Sequence, residues 1–464
     1  MTLTIGSSVE GAASLSTSSS GLSFEKGQIS SGLFSANNTA LIALFRQLGP
    51  SVLRIGGSSV DKATWDNSGD ANGQGMTAGY IAPSDVDRLA DFLHATGWKA
   101  IYGINFATET TAQMSSEAAY VANKLGNSLA GFELGNEPDL YARDGLRPST
   151  YTFMQFLSEW NTDASAVQSA LSNAVFTGPA SSYNYQHYTI PFAQGESNKI
   201  QLLTQHYYIN ASCPDSTTGY APSISGMLTA APNLPSELQS LVGAASANGV
   251  SGGARMAEAN SFYSCTTSTG QHLSGAPDIS NAFASALWAI DFLSTNARYG
   301  MSGVNFHSGG SAYYSPIQTK AAAVTSVQPE YYGLWLFGQA VNTPSGTLID
   351  TRINMSVQPA LQINAYDVLA QDGSHHVLIL NESGSDANVT VQQLPTNATT
   401  AALSLLSAVG GLADTTASDV SVNGSHLRAD GTWDSPPTPT TQSVSNGSTT
   451  VHVPAGSALL ATIN

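Results

Sequence analysis

The chain has 464 residues, of which 42% are hydrophobic and only 10% are charged, and its formal net charge is −17. This composition excludes long disordered regions, and the acidic excess argues against nucleic acid or an anionic membrane as a partner. With two cysteines, the chain is neither a disulfide-stapled scaffold nor a cysteine-rich metal site. It has no apolar run long enough to span a bilayer.

Between residues 21 and 341, short apolar runs alternate with segments of helical periodicity. We expect strands at Gly21–Gln28, Val52–Gly56, Lys99–Ile104, Gly131–Leu134, Ala174–Gly178, Ile200–Tyr208, Arg255–Ala259 and Gly303–His307. We expect helices at Asn38–Leu48, Ser84–Thr96, Ser115–Leu125, Ser149–Ala170, Ser236–Asn248, Ser280–Tyr299 and Glu330–Ala340. This alternation predicts a (β/α)8 barrel of the α/β class, rather than a doubly wound sheet with a glycine-rich dinucleotide turn.

Residues 342–464 have a different pattern, with short alternating runs separated by turn residues. The expected strands are Tyr366–Ala370, His375–Leu380, Ala387–Leu394, Ala401–Leu406, Ser443–Ser445 and Thr449–Val453. This pattern predicts an antiparallel β-sandwich domain, with a long loop over residues 410–442. Residues 1–20 read as one or two strands that join this sandwich, because a barrel over residues 21–341 has no place for them.

Barrel enzymes carry their reactive groups at the C-terminal ends of the strands. Glu137 follows the fourth predicted strand in Leu-Gly-Asn-Glu-Pro, and Glu258 lies in the seventh, in Met-Ala-Glu-Ala-Asn. Pro138 fixes the chain direction after Glu137, and Asn136 places a side-chain amide beside it. Two carboxylates at one barrel mouth suit glycoside cleavage, in which one acid protonates the leaving oxygen and one carboxylate attacks or activates water.

Several segments together resemble glycoside hydrolase family 79, which contains β-glucuronidases and heparanase-like enzymes. They are Leu53–Asp61, Phe132–Tyr141, Glu258–Ser261, Ala286–Asp291 and Pro329–Leu334. With a terminal β-domain, the resemblance covers nearly the whole chain. It implies a retaining glycosidase with a (β/α)8 barrel, in which Glu137 is the general acid/base and Glu258 the nucleophile.

The resemblance also implies roles for residues around these two glutamates. Tyr207 matches a tyrosine that orients the nucleophile, and Glu25 matches a carboxylate that binds sugar hydroxyls. Tyr183 and Tyr263 match aromatic positions of the sugar pocket. From their places at strand ends and in the loops that follow, we add Asn136, His206, Tyr313 and Tyr314 as substrate contacts, and we expect Arg54 to orient a carboxylate inside the barrel. We expect no cofactor and no metal.

Cys213 follows the sixth predicted strand and Cys265 the seventh. The loops after these strands are neighbours on the barrel rim, so we predict a disulfide between the two cysteines. The acidic, Lys-poor composition favours a secreted or periplasmic monomer whose signal peptide is not part of this sequence.

The expected substrate is a carbohydrate. We expect an exo-acting retaining β-glucuronidase that releases terminal β-linked glucuronic acid, with or without a 4-O-methyl group. Because Arg255 is the sole Lys or Arg between Lys199 and Arg298, neutral donors must bind the uronate carboxylate. Three alternatives remain: a retaining β-glycosidase for a neutral sugar, a heparanase-like endo-β-glucuronidase, and a carbohydrate-binding protein without catalysis.

Overall fold

The computed structural model describes residues 1–68, 79–354 and 362–464. Eight parallel strands form a closed barrel in which each strand pairs with the next one in sequence and the last pairs with the first. They are β1 (Ser20–Glu25), β2 (Val52–Gly56), β3 (Lys99–Ile104), β4 (Leu129–Leu134), β5 (Phe176–Ser181), β6 (Ile200–Ala211), β7 (Ala254–Tyr263) and β8 (Val304–Ser308). The predicted barrel is therefore confirmed.

Helices follow every strand and form the outer layer. They are α1 (Thr39–Leu48), α2 (Pro83–Thr96), α3 (Thr111–Leu125), α4 (Phe153–Ala170), α5 (Thr189–Glu196), α6 (Ile224–Leu228), α7 (Leu234–Ala247), α8 (Ala284–Arg298) and α9 (Pro329–Ala340). Both α6 and α7 lie between β6 and β7. The sequence patterns did not predict α5 and α6. Short 3-10 turns lie at Thr17–Ser19, Lys26–Ser31, Val60–Lys62, Gly126–Ser128, Pro138–Leu140, Gly411–Ala413 and Ala417–Asp419.

The helices present apolar stripes to the barrel, as α1 illustrates. Asn38 caps this helix, because its side-chain oxygen accepts a hydrogen bond from the Leu41 amide (3.3 Å). Leu41, Leu44, Phe45 and Leu48 recur at helical spacing and are all buried against the strands. Burial of each such side chain contributes about 1.5–3 kcal/mol, and this packing fixes the strand ends that carry the polar residues of the mouth.

A second, mostly antiparallel sheet of ten strands follows the barrel. Its strands are Thr2–Ser8, Thr347–Asn354, Ile363–Leu369, His375–Asn381, Ala387–Gln392, Thr400–Ala408, Val420–Val422, Thr440–Ser443, Ser448–Val453 and Ser457–Ile463. Thr2–Ser8 pairs antiparallel with Thr347–Asn354 and parallel with Ala387–Gln392, so the start of the chain belongs to this sheet. Short strands elsewhere pair Thr64–Trp65 with Tyr80–Ile81, Cys265–Thr266 with His272–Leu273, and Ile317–Lys320 with Ala323–Val327.

The sheet packs against the barrel through one face. On the strand His375–Asn381, Leu378 and Leu380 belong to the large core that also contains the barrel helices, whereas Val377 and Ile379 belong to a separate core inside the β domain. Side chains of successive strand residues point to opposite faces, so this strand is apolar on both. The two domains therefore share a continuous buried interface.

The polar segment 410–442, expected to be a long loop, contains only short strands and turns and packs against the barrel. The Leu427 amide donates to Tyr332 Oη of α9 (2.9 Å), and Trp433 Nε1 donates to Gln47 Oε1 of α1 (2.6 Å). Within the described parts of the chain, none of the helices has the length and apolar character that a membrane span requires.

Candidate active site

A tight turn after β4 directs Glu137 into the barrel mouth. Gly135 has a φ of 79° and Glu137 a φ of 54°, both in the left-handed region. A Cβ on Gly135 would lie 2.3 Å from the Tyr141 hydroxyl oxygen, so this position requires glycine. The Glu137 amide donates to the Ala180 carbonyl (2.9 Å), which ties the turn to β5. A non-glycine residue in this region is strained, and such strain concentrates at functional sites.

Asp61 stabilises the same turn through hydrogen bonds to its carboxylate. Its carboxylate accepts hydrogen bonds from the amides of Asn136 and Phe106 (both 3.1 Å) and from the Tyr141 hydroxyl (2.8 Å). Burial raises the pKa of Asp61, and the Tyr141 and Asn136 hydrogen bonds oppose that rise. Asp61 was not among the residues expected to be functional.

Glu258 lies in the middle of β7 and lines the cavity at the barrel mouth, where Arg54, Tyr208 and His307 surround its carboxylate. Arg54 Nη1 is 2.8 Å from Oε2, the Tyr208 hydroxyl is 2.8 Å from Oε1, and His307 Nδ1 is 3.4 Å from Oε2. Burial alone would raise the pKa of Glu258, but the charges of His307, His206 and Arg54 and the Tyr208 hydrogen bond lower it below its ordinary value. This environment favours an ionised carboxylate.

Arg54 of β2 is fully buried at the centre of this network. Its Nε donates to Glu133 Oε2 (2.6 Å) and its Nη2 donates to Asn136 Oδ1 (3.0 Å). The Thr204 hydroxyl donates to the second oxygen of Glu133 (2.7 Å). The expectation that Arg54 orients a carboxylate inside the barrel is confirmed, and the structure adds that Arg54 joins two carboxylates, Glu133 and Glu258.

The two mouth glutamates lie close together. One carboxylate oxygen of Glu137, one of Glu258 and one ring nitrogen of His206 all lie within 4.8 Å of one another. His206 Nδ1 is 3.0 Å from Glu137 Oε1. This spacing could hold a metal ion, but Arg54 and Tyr208 already donate to both oxygens of Glu258, and the guanidinium would repel a cation. The arrangement fits two carboxylates that act on one bond.

Both glutamates line a cavity of about 690 Å³ at the C-terminal ends of the strands. The cavity is lined by Glu25, Ser58, Glu137, Leu140, Arg143, Ser182, Tyr183, Tyr208, Ile209, Asn210, Glu258, Tyr263, Ser264, His307 and Tyr314. Its volume suits a small number of sugar rings. Arg143 is its only Lys or Arg among the described residues, so most of its hydrogen-bonding groups are neutral or acidic.

Glu25 lies at the end of β1 and lines this cavity, as the resemblance implied. It accepts a hydrogen bond from the Ser59 amide (2.8 Å), and His307 Nε2 is 3.7 Å from Oε1. A Cβ on Gly57, where φ is 72°, would lie 2.5 Å from the Glu25 carboxyl, so this carboxyl also packs closely against the turn after β2. His307 thus lies between Glu25 and Glu258, a position the sequence analysis missed.

The tyrosine that contacts Glu258 is Tyr208, and the expectation for Tyr207 is wrong. Thr204, His206 and Tyr208 point into the barrel, as their contacts with Glu133, Glu137 and Glu258 show. Tyr207 points to the opposite face of β6, where its ring stacks on Phe292 of α8 at 5.0 Å. The physical reason is the twofold alternation of side chains along a strand.

Three further residues that were expected to contact the substrate do not line the cavity. His206 is buried and contacts Glu137, and it is not among the cavity-lining residues. The Asn136 oxygen accepts from Arg54, and this residue is likewise absent from the lining. Tyr314 lines the cavity, with its ring 5.9 Å from Tyr208, whereas the neighbouring Tyr313 lies outside the lining. Tyr183 and Tyr263 both line the cavity with exposed rings.

Cys213 and Cys265 form a disulfide that links the chain just after β6 to the chain just after β7. The loops lie side by side, since the Ser212 amide donates to the Tyr263 carbonyl (2.9 Å). The disulfide therefore reinforces the part of the rim that carries Tyr263.

Two curated proteins are similar to this chain at low sequence identity. A β-glucuronidase of Aspergillus niger is 24% identical over 329 residues, which are 61% of this chain and 55% of that protein. A β-glucuronidase of Neurospora crassa is 22% identical over 360 residues, 70% of this chain and 62% of that protein. These similarities and the barrel support the interpretation of the chain as a glycoside hydrolase. The aligned part thus spans less than two thirds of either relative, and no family model matches the chain.

A solved structure shares the fold over its full length. The 4-O-α-L-rhamnosyl-β-D-glucuronidase of Fusarium oxysporum 12S, in complex with Rha-GlcA, superimposes with a TM-score of 0.76 at 20% identity, covering 100% of both chains. At this identity the likeness concerns the fold: a barrel and a β domain in the same arrangement.

Proposed function

We propose that the protein is an exo-acting, retaining β-glucuronidase of the glycoside hydrolase family 79 type. The observation that carries this proposal is the pair Glu137 and Glu258, from β4 and β7, with carboxylate oxygens within 4.8 Å over one cavity. Retaining glycosidases have their carboxyls about 5–5.5 Å apart, whereas inverting ones need about 6.5–9.5 Å to admit a water. The β-glucuronidase relatives support the choice of sugar.

In the proposed first step, Glu258 attacks the anomeric carbon and Glu137 donates its proton to the glycosidic oxygen, so the aglycone leaves and a glycosyl ester forms. In the second step, Glu137 removes a proton from water, which attacks the same carbon and releases the sugar with its configuration retained. Arg54 and Tyr208 keep Glu258 ionised and correctly oriented for the first attack.

The uronate carboxylate has neutral donors available to it. The cavity offers the hydroxyl groups of Tyr263, Ser264 and Tyr314. Several neutral donors of this kind can together bind an anion. A single Arg in the lining and a net charge of −17 disfavour the sulfated polymers that a heparanase-like endo-enzyme binds. The same scarcity of cations is the observation that favours the second candidate, a retaining β-glycosidase for a neutral sugar.

Hydrolysis of 4-nitrophenyl β-glucuronide, compared with the β-glucoside and β-xyloside, tests the sugar. We expect kcat/KM to be highest for the glucuronide, and a preference for a neutral glycoside would overturn the uronide assignment. Proton NMR of the first product formed should give the β-anomer, and an α-anomer would exclude the retaining mechanism.

Glu137→Gln and Glu258→Gln test catalysis itself, and with it the alternative of a binding protein without turnover. We expect each variant to lose at least about a thousandfold in kcat on a natural glycan, because each removes a group that one step requires. Wild-type turnover in either variant would refute the mechanism.

The proposal extends to location and assembly. A disulfide and a Lys-poor acidic composition favour a secreted or periplasmic protein, and we propose that it is a monomer. Light scattering in solution tests the monomer, and the mass found should be close to 48.1 kDa per particle.

A further inference from the structure

The cavity has two sides that differ in chemistry. One side consists of His307 of β8, Glu25 of β1 and Ser58 of the turn after β2, all of them polar. His307 Nδ1 is 3.4 Å from Oε2 of the nucleophile Glu258, and its Nε2 is 3.7 Å from Glu25 Oε1. The loops after β4 and β5, on the other side of the barrel, contribute a different set. Its members are Leu140, Arg143, Ser182 and Tyr183. The first side offers polar side chains to sugar hydroxyls, whereas the second adds an exposed ring and an apolar side chain next to the Glu137 turn. The lining residues Tyr208, Ile209, Tyr263 and Tyr314 come from β6, β7 and the loop after β8.

The leaving group belongs on the β4–β5 side. Glu137 donates its proton to the glycosidic oxygen, so the atoms beyond that oxygen must lie next to the loop that carries Glu137. The same loop continues into Leu140 and Arg143, which both line the cavity. Arg143 holds Asp144 in a two-point ion pair at 2.7 and 3.2 Å, and its own charge lies near both Glu137 and Tyr183.

Tyr183 has an exposed side chain, although hydrogen bonds hold its backbone in place. Its side chain is 69% exposed, and among the described residues it is the most exposed large aromatic. The backbone beneath it is held firmly: Asp139, two residues after Glu137, accepts hydrogen bonds from the amides of Ser182 (2.9 Å), Tyr183 (3.3 Å) and Asn184 (3.2 Å). A rigid loop that presents an uncovered ring to a cavity is the arrangement expected of a stacking surface.

We propose that Tyr183 and Leu140 form a leaving-group subsite that takes a ring with an apolar face, either an aryl group or a pyranose. Asp139 is the positioning residue that fixes this subsite to the acid/base turn. The inference rests on the proposed function, because it uses the roles of Glu137 and Glu258. It adds to that function the chemical class of the aglycone.

Three β-glucuronides test the subsite: the methyl glycoside, the 4-nitrophenyl glycoside and a disaccharide with glucuronic acid β-linked to galactose. For Tyr183→Ala we expect kcat/KM to fall roughly three- to tenfold on the two substrates with a ring, with little change on the methyl glycoside. Tyr183→Phe keeps the ring and should retain most of the wild-type kcat/KM. A loss confined to one ring-bearing substrate would support the proposal and identify the ring as aryl or pyranose.

A second readout separates leaving-group binding from glucuronide binding. The glycosyl-enzyme trapped with a 2-fluoro glucuronide no longer holds the aglycone, so its hydrolysis in buffer should be equally fast in wild type and Tyr183→Ala. Addition of an aryl glycoside as acceptor should accelerate turnover of the trapped enzyme in the wild type more than in the variant.

The matched control is Tyr80→Ala, which removes a tyrosine that is 48% exposed but lies outside the cavity lining. It should leave all these values unchanged. Equal losses on all three substrates, no loss on any, or slower hydrolysis of the trapped enzyme in Tyr183→Ala would each overturn the subsite. A wild-type enzyme that hydrolyses none of the glucuronides would overturn the proposed function, and the inference with it, before any variant is compared.

Discussion

The charge of Arg54 is balanced by two buried carboxylates, those of Glu133 and Glu258. Glu133 fixes the guanidinium through Nε, so that Nη1 faces Glu258. Other titratable groups also face this centre. They are Glu25, Glu137, His206, Tyr208 and His307. Glu133 therefore acts through Arg54 on Glu258, the proposed nucleophile, although it lies outside the cavity lining.

Glu133→Gln should shift the pH dependence of kcat/KM. Without the Glu133 charge, Arg54 acts more strongly on Glu258, whose pKa should fall further, so the acidic limb should move to lower pH by up to about one unit. The matched control is Glu117→Gln, which breaks another fully buried ion pair, with Lys26 at 2.7 Å, outside the cavity lining. Both variants should lose stability to urea, and only the first should show the shift. A shift of equal size in both would refute this role.

Tyr208→Phe should act in the opposite direction. The hydroxyl that donates to Glu258 Oε1 is lost, so the pKa of Glu258 should rise and the acidic limb should move to higher pH. A hydrogen bond to a charged group is worth about 1.5–3 kcal/mol, which corresponds to a loss of roughly ten- to a hundredfold in kcat/KM. Tyr207→Phe is the control, and it should leave the activity unchanged because Tyr207 packs against α8.

The sequence identified the two glutamates because both lie at strand ends, but it did not distinguish Tyr207 from Tyr208. In Thr-Gln-His-Tyr-Tyr, at residues 204–208, polar and aromatic residues occupy both faces, so hydropathy gives no alternation from which to read the inward face. Glu133 and His307 were also missed, although the strand-end rule that found Glu137 applies to His307 as well.

Among the structural elements, those with strong periodicity were predicted from the sequence. Strands β2 and β3 have the expected bounds, and α4 ends at the expected residue. In contrast, α5 is only eight residues long and contains Pro191, which is tolerated in its first turn, and Gly195, which disfavours helix; it packs against β5, β6 and α7. Local sequence could not reveal this tertiary contribution.

The disulfide between the loops after β6 and β7 stabilises the rim. Its cysteines are 52 residues apart, and closing a loop of this length is worth at most about 4 kcal/mol through restriction of the unfolded chain. The double variant Cys213→Ser/Cys265→Ser should therefore unfold at lower urea concentration. It should keep most of its kcat, since neither cysteine lines the catalytic cavity. Unchanged stability, or two free thiols in unreduced wild type under denaturing conditions, would contradict this expectation.

For the whole molecule, the interface between barrel and β domain contains buried acids. Asp291 of α8 accepts a hydrogen bond from Tyr366, and Glu382 of the β domain accepts one from Gln362 (2.7 Å) and one from Asn364 (3.4 Å). Asp291 and Glu382 line a small cavity of about 50 Å³ together with Tyr207. Burial, with a smaller contribution from the Asp291 charge, raises the pKa of Glu382 to about 8.

The contribution of Glu382 to folding stability should therefore decrease as the pH rises from about 5 to 8. Because the folded-state pKa of Glu382 lies above the unfolded value, the folded state binds more protons in this range, and its advantage is lost as the carboxyl ionises. Glu382→Gln should raise Tm relative to wild type at pH 8 by a few degrees, and by less at pH 5. Asp386→Asn, at a 61% exposed side chain, is the control and should show no such pH-dependent gain. A difference for Glu382→Gln that does not depend on pH would contradict the assignment.

The shared interface limits how this protein can be re-engineered. Leu378 and Leu380 belong to the same hydrophobic core as α8 and α9, and Trp433 donates a hydrogen bond to Gln47 of α1. A chimera that exchanges the β domain for that of another glycosidase must therefore also transplant the outer surfaces of these three helices. Directed evolution of substrate preference has more freedom on the opposite side of the barrel, where lining positions after β4 and β5 such as Leu140 and Tyr183 can change without disturbing that interface.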